Sequence, residues 1–176
     1  MYRKRVTTRS SNYTITEALR NSLTVLCNII QFGGKLRLVR YPIIIRGKKY
    51  IDWGKRLTTG YNCRIELDGK HEKTILTFEK NVNICDYVSI RCAERISIGN
   101  NVLMGSKVLI TDNSHGDYSG MKQDNPSKAP NERILMTAPV RIEDNVWIAE
   151  GGDTDGRNDR RRQHSCSQFC CYKKCC

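Results

Sequence analysis

The sequence has no long apolar run. Its most hydrophobic early stretch, LTVLCNII from Leu23 to Ile30, is far shorter than the roughly 20 residues needed to cross a bilayer, so no transmembrane span is expected. No secretory leader is expected either: MYRKRVTTRS carries the charge of one but no uninterrupted apolar core follows it. Cysteine is sparse where a fold would use it. Of nine cysteines, only Cys27, Cys63, Cys85 and Cys92 are scattered through the body, while Cys166, Cys170, Cys171, Cys175 and Cys176 crowd the last eleven residues. Four scattered cysteines are what a reduced, cytoplasmic protein carries, and that setting is expected; a disulfide framework stays open for the tail alone. Histidine is rarer still, with three residues, His71, His115 and His164. Any imidazole chemistry must rest on these.

Positive charge is what the chain has in excess. A formal net charge of +12 on 176 residues fits nucleic acid, an anionic membrane surface or an anionic, nucleotide-containing ligand, and does not choose among them. The length suits one domain. Near the N-terminus, Thr14 and Glu17 have capping-box spacing, and Ile15, Leu19, Leu23, Leu26 and Ile30 recur every three or four residues, which predicts a helix from about Ile15 to Gln31. Two roles are open for this basic segment, 1–31. The helix packs on the body, or, with Arg3, Lys4, Arg5, Arg9 and Arg20 nearby, it makes peripheral contact with an anionic membrane.

From Ile43 to Ile148 apolar residues come in pairs two apart, and the pairs recur every six residues. Leu76 and Phe78, Val82 and Ile84, Val88 and Ile90 form one series; after a slip of two, Ile96 and Ile98, Val102 and Met104, Val108 and Ile110 form the next. Val140 and Ile142, Val146 and Ile148 resume it. A pair at i and i+2 points to one side of a strand, and the four residues left over turn a corner. Repetition builds the flat sides of a triangular coil whose stacked turns bury one aliphatic column. Gly99, Asn100, Asn101, Gly105, Asp144 and Asn145 are the turn formers such corners need. The expected fold is all-β, a left-handed parallel β-helix over residues 32–151 with an N-terminal helix. One segment, 112–137, breaks the period, is polar and holds Gly116, Gly120, Pro126 and Pro130. It reads as a single protruding loop, and a long excursion from a regular scaffold usually serves function.

The run ISIGNNVLMGSKVLITDNSHG, the loop, and then APVRIEDNVWIAEG resemble the hexapeptide-repeat O-acetyltransferases of the maltose, galactoside, O-antigen and capsule types. The resemblance implies transfer of an acetyl group from acetyl-CoA, without a metal, to a hydroxyl of a sugar or surface-polysaccharide precursor. It further implies a cytoplasmic homotrimer, at the inner face of the membrane if the helix docks there, and no nucleic-acid partner. By resemblance, the histidine at the root of the loop, His115, is the catalytic base. An alcohol is a poor nucleophile while protonated, and an imidazole, with an ordinary pKa of about 6.5, accepts a proton at neutral pH. Asp112 and Asn113 lie close enough in sequence to orient that imidazole or contact the acceptor, though either is equally a turn residue. Trp147 and Glu150 match the strand and the following position where the family's backbone N–H groups face the acyl donor; Trp147 is alternatively a corner-packing aromatic. Ala149 stands where relatives commonly carry glycine.

After Gly151 the period ends. DTDGRNDRRRQHSCSQFCCYKKCC cannot form a coil, and 152–176 is expected to be an aberrant, disordered tail. It is either a genuine metal- or nucleic-acid-binding extension or an out-of-frame reading of further coils. Codons allowed by Gly152 to Cys176, read one base later, spell VIRMGEMIGEDSIVVANSVVTKNV, which resumes the period and resembles the family's last coils. On that reading the chain is a truncated product. Two rival functions stand beside the acetyltransferase. One is a non-catalytic basic adaptor that uses Arg160, Arg161 and Arg162 or the clustered cysteines. The other is a γ-type carbonic anhydrase, which needs three zinc-binding histidines where the regular body holds only His71 and His115.

Overall fold

The computed structural model describes residues 13–68, 73, 75–118 and 123–151. The expectations for His71, His164, the basic residues 3–9 and the tail 152–176 fall outside them.

Helix α1 (Ile15–Phe32) begins at a complete capping box, in which Thr14 accepts from the Glu17 amide and the Glu17 carboxylate accepts from the Thr14 amide. It ends at Gly33 in the left-handed conformation, φ 67°. Leu36, Leu38 and Val39 then enter the core, and Leu38 pairs in parallel with Thr58, so the coil starts before the first regular strand.

Four coils follow. The first holds β1 (Ile43–Arg46), β2 (Ile51–Asp52) and β3 (Thr58–Thr59); the second β4 (Cys63–Leu67), β5 (Leu76–Phe78) and β6 (Asn83–Ile84); the third β7 (Ser89–Cys92), β8 (Ile96–Ile98) and β9 (Leu103–Met104). The fourth opens with β10 (Leu109–Thr111), leaves the coil as β11 (Asn113–His115) and β12 (Leu135–Thr137), and closes with β13 (Val140–Ile142) and β14 (Trp147–Ile148). Stacking makes three parallel sheets, a first face β1-β4-β7-β10, a second β2-β5-β8-β13 and a third β3-β6-β9-β14. This is a left-handed parallel β-helix.

The register explains the six-residue period. Ile65, Ile90 and Ile110 stack on the first face, Leu76, Ile96 and Val140 on the second, Ile84, Met104 and Ile148 on the third, and all of them are buried. Each strand is too short to bury its apolar pair alone; the column is continuous only across coils. The edge between the second and third faces needs a left-handed residue in every coil. Arg56, Asn81, Asn101 and Asn145 supply it with φ of 61°, 61°, 57° and 61°. The three asparagines tolerate that conformation and form a ladder, with Asn81 Nδ2 donating to Asn101 Oδ1 at 3.1 Å and Asn101 Nδ2 to Asn145 Oδ1 at 3.0 Å.

Candidate active site

The edge between the first and second faces is where the coil departs from its period. The third coil spends two extra residues there, and the fourth sends out its loop. Both departures are tied together by Asp112, which follows β10 and is only 2% exposed. Asp112 Oδ1 accepts the Ala93 amide at 2.8 Å; Oδ2 accepts the Glu94 and Arg95 amides, each at 2.8 Å. The Cys92 thiol adds a weak donor at 3.4 Å. Three successive amides at this irregular, part-buried corner converge on one point, and an acceptor-only carboxylate is the side chain that satisfies them all. The same surroundings push the Cys92 thiol pKa far up, first through burial and then through the neighbouring Asp112 charge.

Directly after this anchor the chain forms a short antiparallel hairpin, in which Asn113 pairs with Thr137, Ser114 with Met136 and His115 with Leu135. Strand alternation puts Asn113 and His115 on one face of the hairpin and Ser114 on the other. His115 is exposed. Beyond it Gly116, with φ 109°, donates its amide to Ile134 O, which closes the ladder. The loop is held from within by Arg133. Its Nη1 donates to Tyr118 Oη at 2.6 Å, its Nε and Nη2 donate to Lys128 O at 2.9 and 2.7 Å, and Nη2 also reaches Pro126 O at 3.1 Å. Tyr118 Oη in turn donates to His115 O at 2.6 Å. Arg133 therefore fixes the backbone that carries His115 through one intervening phenol. Neither Arg133 nor Tyr118 shows in the sequence as a site residue, because they stand apart in a polar segment without a period.

The expected orienting residues divide. Both oxygens of Asp112 are engaged at the corner, and Asn113 donates its side-chain amide to Asp112 Oδ1 at 3.2 Å. Among the described residues no side chain hydrogen-bonds the His115 imidazole. Asn113 shares its hairpin face; Asp112 sits beneath it as the anchor.

Trp147 and Glu150 lie elsewhere. Trp147, in β14 beside Leu103 of β9, points outward from the third face and is 65% exposed. Glu150 follows at the edge between the third and first faces, packed over Gly105. A Cβ on Gly105 would stand 2.5 Å from the Glu150 amide nitrogen, so only glycine lets the two coils pass so closely. Within one chain His115 stands off the edge between the first and second faces, Trp147 on the third face and Glu150 at the edge between the third and first, so they are not brought together. On the outer surface of the first face, Glu66 lies in register between Arg46 and Arg91; it meets Arg46 at 2.6 Å, Arg64 at 3.6 Å and Arg91 at 3.9 Å. This charged band runs up toward the root of the loop. Among the described residues no group of three or more His, Cys, Asp or Glu side chains is placed to hold a metal ion, and Cys27, Cys63, Cys85 and Cys92 are free thiols.

No protein-family model and no solved structure matches the chain. A curated protein of Escherichia coli (strain K12), "Putative lipopolysaccharide biosynthesis O-acetyl transferase WbbJ", is 35% identical over 123 residues, which is 68% of this chain and 60% of the relative. The chain thus spans about 60% of that protein's length. With its six-residue coil repeat and its hairpin excursion, the chain is similar over those 123 residues to this O-acetyl transferase.

Proposed function

We propose that the protein transfers an acetyl group from acetyl-CoA to a hydroxyl of a sugar in a surface-polysaccharide precursor, with His115 as general base. The observation that carries this reading is the placement of His115, exposed at the end of a hairpin that grows directly from the buried, fully engaged Asp112. A rigid root with an exposed imidazole is what base catalysis on an incoming alcohol requires. The imidazole accepts the hydroxyl proton as the alkoxide oxygen attacks the thioester carbonyl carbon. A tetrahedral intermediate forms, the C–S bond breaks, and the imidazolium returns its proton to the departing thiolate, leaving the acetyl ester and CoA. Backbone N–H groups beyond β14, near Trp147 and Glu150, serve the donor carbonyl. Asn113 contacts the acceptor or the imidazole from the shared hairpin face, and Asp112 acts beneath them as a positioning residue.

Because His115 and Trp147 lie on different sides of one chain, the complete site forms between copies in a homotrimer, which places one chain's hairpin against the third face of the next. Leu103 and Trp147 on that face and Leu135 and Met136 on the hairpin are exposed apolar residues suited to such a contact. The tail after Gly151 is read as an out-of-frame version of further coils, whose loss leaves the donor groove incomplete.

The test compares the 176-residue chain with one whose codons after Gly151 are read one base later. The restored chain is expected to be a trimer by light scattering, to release CoA from acetyl-CoA in the presence of saccharide acceptor, and to yield an acetylated sugar by mass spectrometry; the 176-residue chain is expected to do neither. A restored chain that is trimeric yet transfers nothing to any saccharide contradicts the reading, and a trimeric, active 176-residue chain contradicts the account of the tail.

A further inference from the structure

Helix α1 is mounted with its faces reversed. A surface helix of a globular protein normally turns its apolar stripe to the core and its polar stripe to water. Here the inward stripe is polar. Asn21 and Thr24 are half-buried, and Asn28, 2% exposed, donates its side-chain amide to Val39 O at 3.2 Å. The side-chain oxygens of Asn21 and Asn28 are buried and accept no hydrogen bond among the described residues. The outward stripe is aliphatic: Ile15, Leu19, Leu23, Leu26 and Ile30 are 57% to 82% exposed, and they recur at three- and four-residue steps along the whole 18-residue helix, a length of about 27 Å. So large a continuous apolar surface marks an interaction site.

We propose that this face docks α1 on an anionic lipid surface, lying in the headgroup region parallel to the membrane. No helix among the described residues is long and apolar enough to cross a membrane, so the mode is lying on, not spanning. Charge selects lipid over a second copy of the chain. Residues 1–12 hold Arg3, Lys4, Arg5 and Arg9 and no acidic residue, and Lys35, Arg37 and Lys48 stand at or just beyond the other end of the helix, with Lys48 Nζ donating to Gln31 O. Glu17, the one acidic residue of α1, is half-buried and engaged in the capping box. Pairing α1 with its own copy would set these cations against one another, whereas anionic headgroups neutralise both ends while the acyl boundary takes the aliphatic stripe. This inference stands apart from the acetyl-transfer reading and does not depend on it.

The test is sedimentation of the full 176-residue chain with vesicles of pure phosphatidylcholine or of phosphatidylcholine mixed with phosphatidylglycerol, beside the double variant Leu19→Glu, Leu26→Glu. Both positions are exposed and glutamate is a good helix former, so thermal unfolding should not change. The parent is expected to bind the anionic vesicles at least about tenfold more strongly than the zwitterionic ones, and the double variant to lose at least about tenfold of that binding. The unchanged tail cannot explain such a loss. Equal binding by parent and variant, or no preference for anionic vesicles, overturns the proposal. A change of oligomeric state in the variant without vesicle binding by the parent overturns it in favour of a second copy as the occupant.

Discussion

Two edges of the same prism behave in opposite ways. Between the second and third faces the corners repeat almost unchanged, with Asn81, Asn101 and Asn145 stacked in one conformation and bonded side chain to side chain. Between the first and second faces the coils differ, since the first turns through Lys48–Tyr50, the second joins Leu67 to Leu76 through eight residues, the third corners at Ala93 to Arg95, and the fourth sends out the loop that bears His115. The regular edge adds the same increment at every coil and serves stability. The irregular edge must satisfy its backbone by individual means, and it is there that a side chain can be held away from the column for chemistry.

The largest effect on stability is expected at the irregular edge. Asp112→Ala leaves three part-buried amides without their acceptor and should destabilise the fold by about 2–3 kcal/mol in denaturant unfolding. Asp112→Asn should recover little of this, because a carboxamide offers one oxygen where donors face both positions. A loss below about 1 kcal/mol in Asp112→Ala would show that the corner is held by its stacked strands instead. At the regular edge Asn101→Ala removes two ladder bonds and places alanine at φ 57°, for an expected cost of about 1–2 kcal/mol, while Asn101→Gly should cost less. Equal losses for the two variants would mean that the ladder and not the backbone conformation is what matters.

The smallest effect is in alkali. Burial is the first cause of the raised pKa of Cys63, Cys85 and Cys92. Their thiols stay neutral in the folded chain while the unfolded chain ionises near the ordinary value of 9.0. Stability from this source is therefore complete below pH 9 and declines as pH rises past it. Cys92→Ala should flatten that decline in unfolding midpoints measured between about pH 8 and 10.5; an unchanged slope would remove Cys92 from it.

Much of the coil was legible in the sequence because its signal is local. Both members of each apolar pair point inward two residues apart, and the period is set by the length of one side, so Ile96 and Ile98 announce their burial without knowledge of their neighbours. The corners at Asn101 and Asn145 were legible for the same reason, whereas Asn81 was not singled out and Tyr87 and Lys107, also at positive φ, carry no such mark. The role of Asp112 was hidden, since the amides it satisfies come 17 to 19 residues earlier and a lone aspartate after a strand reads as a turn former. The mounting of α1 was hidden too. Periodicity shows that a helix has an apolar face but not which face meets the body, and here the body takes the asparagines. Nor could spacing along one chain reveal that Trp147 and His115 lie on different sides of the prism, which follows only from the order in which strands stack.

The account rests on His115 as a base. In the chain with its frame restored after Gly151, His115→Ala should lower acetyl transfer from acetyl-CoA to a saccharide acceptor at least about a hundredfold, with the KM for acetyl-CoA and the thermal unfolding unchanged, since the side chain is exposed and hydrogen-bonds no side chain among the described residues. Turnover in that variant within a few-fold of the parent would contradict the assignment and return the search for the base to other groups at the loop.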